Sequence, residues 1–455
     1  MRFMTALLRL PPILRAITLL GLLGSAGCAG PASPVAGSST AAAKTPYIFG
    51  VLVGSQSYLQ SDYAAGVRLV ELGAYWDQWE PTQGQYSSSY EAQFAGEVAA
   101  YRNAGYKIAL ALGFNHVPSW VTNTSTCPYC QHISMFSGTS TPVPIYSGYP
   151  NFEFNPAMRT EGANFIASVL KAVGPVDYVR IGLNHNTEVF LPVAITNGEW
   201  WAGDPYANGD MLGVPSTVGV SPYPHWYPGM LLNGQNPTQA QLTTWYNWYF
   251  HALVDAHLWE AASIRAAGFT GPIQVVIPGT GERPTQYAAA LTPCPTAPVK
   301  FQCVGFPGQG LTYNPNDGLK AINEGAVQYL FLDGIANNTL GLSGFMVDIS
   351  SVDDTSGTPV ANNCMATDAS VDYLTDPQVL NWSSVRWLSF NAKRNGLPLI
   401  GENPGENSAS DMATTFSLME GCGLTGLMWA FDSELYSGQY ATIANYQASI
   451  AQANQ

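Results

Sequence analysis

Residues 67–113, VRLVELGAYWDQWEPTQGQYSSSYEAQFAGEVAAYRNAGYKIALALG, decide the fold. An apolar run over 67–75 has the length and β-branched character of a buried strand. Tyr90, Phe94, Val98 and Tyr101 then recur at steps of three and four, placing one apolar stripe on a helix. Asn103-Ala104-Gly105 stops that helix, and residues 107–113 form a second apolar strand. Strand, helix, strand of this length is a βαβ unit, which builds a parallel sheet. Further candidate strands lie at 47–53, 178–183, 273–278, 344–349, 397–401 and 424–430, giving eight. Helical stripes separate several of them: Phe165, Val169, Val173; Leu242, Trp245, Tyr249, Leu253; Met412, Phe416, Met419; Ile443, Tyr446, Ile450. Eight such units in residues 45–455 predict one α/β domain, a (β/α)8 TIM barrel. The extra length falls at 122–155, 192–237, 279–315 and 350–377, long loops after strand C-terminal ends, on the face where barrels build their sites. An open doubly wound sheet is the structural alternative, but no GxGxxG or GxxxxGK[ST] follows a strand.

The composition narrows the partners. The chain of 455 residues is 46% hydrophobic, which excludes disordered and collagen-like architectures. Charged residues make up 11%, while 24 Tyr and 12 Trp supply much of the polar-aromatic surface, a balance suited to a neutral, hydroxyl-rich ligand. The net charge of −14 repels phosphate backbones and anionic lipid headgroups, so no nucleic-acid partner is expected.

Residues 1–27 combine Arg2, Arg9 and Arg15, an apolar run over 17–23 and a small-residue exit, the pattern of a signal peptide. Cys28 follows Ala26-Gly27 as in a bacterial lipobox, although Ser25 stands where that pattern usually has Leu; ordinary signal cleavage is the alternative. Residues 28–44 have the composition of a flexible tether. Both readings predict an extracytoplasmic protein, a cell-surface lipoprotein under the first and a secreted one under the second, and the only membrane contact expected is the lipid anchor of the first. Six cysteines remain, an even number in an exported chain, and the expected bridges are Cys127 with Cys130, Cys294 with Cys303, and Cys364 with Cys422. One Cys-Pro-Tyr-Cys without a partner motif, HxxxH or HExxH predicts neither metal nor cofactor.

Hydrolysing a glycosidic bond needs two carboxyl groups flanking it. Two glutamates lie just beyond strand ends. Glu188 follows the fourth strand in Asn184-His185-Asn186-Thr187-Glu188, and Glu402 ends the seventh strand before Asn403-Pro404-Gly405, a sequence that forces a turn. In an eight-stranded barrel these ends face each other across the mouth. His116, His185 and Asp348 also follow or end strands and are candidate lining residues, with Glu282 and Glu80 as further acids. His251 and His257 fall on a helix and read as structural. Trp200, Trp201, Tyr206, Tyr223, Trp226 and Tyr227 either offer flat faces to sugar rings or pack the long loop onto the barrel.

Val67-Arg68-Leu69-Val70-Glu71-Leu72 followed by Trp76, Trp79-Glu80-Pro81, Gly84 and Tyr86 resembles the second-strand signature of clan A glycoside hydrolases, most of all the β-galactosidase type of family 42. Pro118-Ser119-Trp120, Glu188, Glu402 and Trp429 extend the resemblance, as ordered scattered motifs, over residues 47–429. The resemblance implies a (β/α)8 barrel that cleaves β-glycosidic bonds of an oligo- or polysaccharide with retention, Glu188 being acid/base and Glu402 nucleophile. It also implies Trp79 and Trp120 near the substrate, Asn184 or Asn186 on the sugar 2-hydroxyl, and Trp429 as a stacking floor. An inward Arg68 would hold Glu402 charged. The chain departs from the clan in having Thr187, not Asn, before Glu188. A surface-tethered carbohydrate-binding barrel without catalysis is therefore the alternative, and an ester or amide hydrolase a weaker one, lacking any GxSxG elbow.

Overall fold

The computed structural model describes residues 46–134, 144–183, 189, 200–227, 230–235, 237–277, 345–349, 384–403 and 408–455. The signal-peptide and tether expectations, Cys28, Cys294, Cys303, Cys364 and Glu282 lie outside them.

Along the chain run β1 (Ile48–Val51), α1 (Leu59–Ala65), β2 (Leu69–Tyr75), α2 (Trp76–Trp79), α3 (Ser88–Asn103), β3 (Lys107–Gly113) and α4 (Ser119–Thr122). A hairpin of β4 (Gln131–Ser134) and β5 (Ile145–Pro150) precedes α5 (Pro156–Val173), β6 (Tyr178–Ile181), α6 (Pro205–Asn208), α7 (Gln239–Ala266) and β7 (Ile273–Ile277). Then come β8 (Phe345–Ile349), α8 (Ser384–Arg394), β9 (Leu399–Asn403), α9 (Ala409–Cys422), β10 (Gly426–Trp429), α10 (Asp432–Ser437) and α11 (Ile443–Ala453). Eight parallel strands close in the order β1-β10-β9-β8-β7-β6-β3-β2. The (β/α)8 expectation holds, and each of the eight strands lies within two residues of where the apolar runs put it.

Side chains alternate along every barrel strand, so two cores form. Leu52, Leu69, Ala109, Met346, Ile400, Met428 and Ala430 plug the interior. Phe49, Val70, Leu110, Val179, Ile273, Leu399 and Leu427 face outward into the larger core beneath the helices. The helical stripes bury as the spacing predicts, with Phe94, Val98, Tyr101, Phe165, Val169, Leu242, Trp245, Tyr249, Met412 and Tyr446 each below 5% exposure. β1 fits between its neighbours because Gly50 and Gly426 carry no side chain; a Cβ on either would come within 2.8 Å and 2.4 Å of the facing backbone oxygens of Leu69 and Ile48. Asn155 caps α5, and Thr238 and Thr442 form capping boxes at α7 and α11.

The loop expected over 122–155 instead carries the antiparallel β4/β5 hairpin. A buried contact between the His132 ring and the Glu153 carboxylate fastens it, and the expected Cys127–Cys130 bridge closes the turn before it. Cys422 is also disulfide-bonded.

One carboxyl pair ties the end of the barrel to its start. Asp62 of α1 accepts from the Tyr436 hydroxyl at 2.7 Å, and Asp432 of α10 accepts from the Ser55 N–H at 2.7 Å. The two buried carboxyls are close enough to influence each other's charge. Burial raises Asp62 to about 6, and burial plus the Asp62 charge raises Asp432 to about 7. Acids raised in the folded state stabilise it fully at pH below their unfolded values and lose that contribution as pH rises through the folded ones. Asp432→Asn keeps an acceptor for the Ser55 N–H without the second charge. The variant is therefore expected to lose less stability than wild type between pH 4 and pH 8, ending roughly 1 kcal/mol ahead at pH 8 after solvent screening is allowed for. Thermal melts across that range check it.

Candidate active site

Above the apolar plug, the next inward positions toward the strand C-termini are charged. On β2 the step from Leu69 leads to Glu71, on β6 the step from Tyr178 to Arg180, and on β9 the step from Ile400 to Glu402. These strands are not neighbours in the barrel, so the contacts among them cross its interior. Arg180 Nη2 donates to Glu402 Oε1 at 3.1 Å and to Oε2 at 3.4 Å, while Nη1 lies 3.3 Å from Glu71 Oε2. The Val53 N–H reaches the same Glu71 oxygen at 3.4 Å. Arg180 is 2% exposed, Glu402 5% and Glu71 9%, so all three charges are nearly dry and must satisfy one another. Burial and the negative charge of Glu71 push the Glu402 carboxyl above its ordinary range, against the opposing pull of Arg180. Gln274, in register with Arg180 on β7, is buried beside them.

Arg180 takes the part expected of Arg68. The Arg68 guanidinium lies outside the barrel, donating to the Tyr63 and Val67 carbonyls and stacking 3.7 Å over the Tyr63 ring. The signal for Arg180 was in the sequence. A lone Arg between Val179 and Ile181, in phase with the interior positions of a buried strand, has to find carboxylates there.

Several expected site residues belong to the framework. Trp429 is 1% exposed and faces outward with Leu427, packing on Tyr446 of α11 at 5.9 Å between ring centroids; it is no stacking floor. One step along a strand reverses the face, and Met428 takes the inward position. Trp79 is fully buried, donates to Ser168 and packs edge-on to Phe94 and Phe165. Glu80 is 1% exposed and accepts from the Trp76 indole at 2.9 Å and the Gly84 N–H at 2.6 Å, so it shapes the turn after β2. Trp120 donates to the Glu80 carbonyl at 3.1 Å and lies edge-on to Trp76, bracing the same turn. Trp200, Trp201, Trp226 and Tyr227 are each below 5% exposure and form the larger core with Trp245 and Tyr249 of α7; the packing alternative for those loop aromatics is the observed one. His257 is buried and bonded to the Leu253 carbonyl, and His251 contacts the Thr217 carbonyl, both framework contacts.

His116 does reach the mouth, with its ring stacked 3.8 Å from that of Tyr75 at the end of β2. Asp348 lies in β8 in register with Val276 and Ile400. Asn184, His185, Asn186 and Glu188 fall outside the described residues, just past Leu183, where the chain leaves β6.

No family model matches the chain, and no curated protein matches it. Among solved structures it is similar to the catalytic domain of a β-amylase from Paenibacillus polymyxa, at 13% identity and a TM-score of 0.56, over 90% of this chain and 99% of that one. Weaker likenesses are to the AHE enzyme from Alicyclobacillus herbarius, at 11% identity and a TM-score of 0.43 over 85% and 88% of the two chains, and to endo-glycoceramidase II from Rhodococcus sp., at 11% and 0.42 over 88% and 78%. The β-amylase likeness establishes a shared barrel fold, and the two weaker ones carry no argument.

Removing the central cation strands two buried carboxylates. Arg180→Met is expected to destabilise the fold by about 3–5 kcal/mol, and adding Glu71→Gln to recover part of that loss. Denaturant unfolding of the single and double variants measures both, and a cost below about 1 kcal/mol for the single change would contradict the ion-pair geometry.

Proposed function

We propose that the protein is a glycoside hydrolase acting on β-glycosidic bonds with retention, with Glu402 as nucleophile and Glu188 as acid/base. The observation that carries the reading is Glu402. It is a buried carboxylate at the C-terminal end of a barrel strand, and its two oxygens are oriented by Arg180. Attack on an anomeric carbon requires a carboxylate fixed in place and ionised at working pH. Arg180 supplies the orientation and favours the charge. Glu188 follows Leu183 by five residues in the sequence, after the strand that carries Arg180, and its acid/base role rests on the resemblance to clan A enzymes. A protonated carboxyl there would donate to the leaving oxygen. His116 on Tyr75 contributes a ring and hydrogen-bonding atoms at the rim. The barrel shared with a β-amylase, and the resemblance of the chain's ordered motifs to the family 42 type, support a carbohydrate substrate. The leader-like residues 1–27 and Cys28 support export and a lipid anchor.

The Glu71–Arg180–Glu402 chain of charges favours one second reading, because a carboxylate so fully paired also serves as a structural brace. Under that reading the barrel binds carbohydrate without cleaving it.

Glu402→Gln separates the two. Hydrolysis of an aryl β-glycoside panel is expected in wild type and to fall at least a thousandfold in the variant, since losing the nucleophile removes several kcal/mol of barrier lowering. Retention of more than about a tenth of the rate excludes the nucleophile role, and no turnover by wild type with retained glycan binding favours the second reading. Product stereochemistry by NMR tests retention, which corresponds to a carboxyl separation of about 5–5.5 Å rather than the 6.5–9.5 Å of inversion.

The pH profile gives an independent check. Glu402 has to lose its proton to attack, so kcat/KM rises as pH rises through its elevated value. Glu71→Gln removes a negative charge that lifts Glu402. The acid limb is expected to move to lower pH in that variant, and a shift to higher pH would contradict the electrostatic assignment.

A further inference from the structure

β1 stops at Val51, whereas β2 runs on to Tyr75. The two strands pair through Gly50–Leu69 and Val51–Val70, and a last bond joins the Gly54 N–H to the Glu71 carbonyl at 3.2 Å. Past Val51 the chain turns toward β10: the Leu52 N–H donates to the Trp429 carbonyl, and the Leu52 carbonyl accepts from the Asp432 N–H. The upper part of β2 is therefore held by β3 on one side, and a notch opens on the other, between the barrel mouth and α3. A cavity of about 170 Å³ occupies it, lined among others by Glu71, Tyr75, Gln78, Tyr90, Gln93 and Glu97.

The notch is electronegative. Burial raises the Tyr75 phenol, and the charges of Glu71, Glu97 and Asp77 raise it further. Arg180, the cation on Glu71, is shared with Glu402 on the far side. Among the described residues no cation pairs with Glu97, whose half-buried carboxyl is lifted by desolvation alone. Tyr75 and Tyr90 line the cavity, and the amides of Gln78 and Gln93 offer both donors and acceptors to hydroxyls. An anion is repelled from such a site, and a ligand with one positive charge and several hydroxyls is matched.

We propose that this notch is a subsite for a monosaccharide unit bearing a protonated amino group, lying beside the barrel mouth. Only the expectation that the ligand is a sugar rests on the hydrolase reading; the charge and shape of the notch do not depend on it. Glu97 takes the ammonium, Gln78 and Gln93 take ring hydroxyls, and the tyrosines wall the site.

The test is equilibrium binding of glucosamine, glucose and glucuronate to the full-length protein, followed by NMR titration below the amine's pKa. These monosaccharides contain no glycosidic bond, so binding is read without turnover. Glucosamine is expected to bind at least tenfold more tightly than glucose, and glucuronate not at all. Glu97→Gln should reduce the preference for glucosamine at least tenfold. Gln93→Trp, on the exposed side of α3, should fill the notch and abolish binding, with melting temperature as the control for folding in both variants. Equal binding of glucose and glucosamine, glucosamine binding that survives Gln93→Trp, or binding of none of the three overturns the proposal. A protein inactive on every glycoside that still selects glucosamine here keeps the subsite and loses the hydrolase. An active enzyme indifferent to glucosamine does the reverse.

Discussion

A guanidinium placed inside a β-barrel has no water to carry its charge, so the strands around it have to bring carboxylates to it. Arg180 imposes that condition here. It reaches Glu71 on β2 in one direction and Glu402 on β9 in the other, and the three residues can satisfy one another only if the barrel closes with these strands in register. The same condition fixes the chemistry of the mouth. Both oxygens of Glu402 are held by one guanidinium nitrogen, Arg180 Nη2, and its proton affinity follows the balance between desolvation, Arg180 and Glu71. A carboxylate on a loop would have neither the geometry nor the tuning.

The rest of the molecule maintains this layer. Below it, apolar side chains such as Leu69, Ile400 and Met428 exclude water from the barrel's lower interior. Outside it, the aromatic-rich face of α7 takes up Trp200, Trp201, Trp226 and Tyr227, which turns a long connection into part of the core. At the seam between first and last strands, the Asp62–Asp432 pair joins α1 to α10. The short β1 leaves room beside Glu71 for the cavity between β2 and α3.

The motif cluster that most resembles a glycosidase signature turns out to be largely scaffolding. Trp76, Trp79, Glu80 and Trp120 knit the turn after β2 to α3 and α5 through indole hydrogen bonds and edge-on ring contacts. Such residues position the strand that carries Glu71. Glu402 was legible because a carboxylate directly after an apolar strand and before Asn-Pro-Gly has one plausible location in a barrel. Arg180 was equally visible, yet its importance depended on phase, since it matters only when residue 178 faces inward. Trp429 was misplaced by that same criterion: it sits one position away from the inward Met428.

The sequence by itself determined the number, order and limits of the eight strands, the helical faces that cover them and the carboxylate at the end of β9, because periodicity and punctuation are local properties of the chain. Which side of each strand faces the axis, and which charges meet there, was decided only by tertiary structure. Closing the barrel sets the stagger between strands, and that stagger brings Glu71, Arg180 and Glu402, up to 331 positions apart in the chain, within one hydrogen-bonded layer.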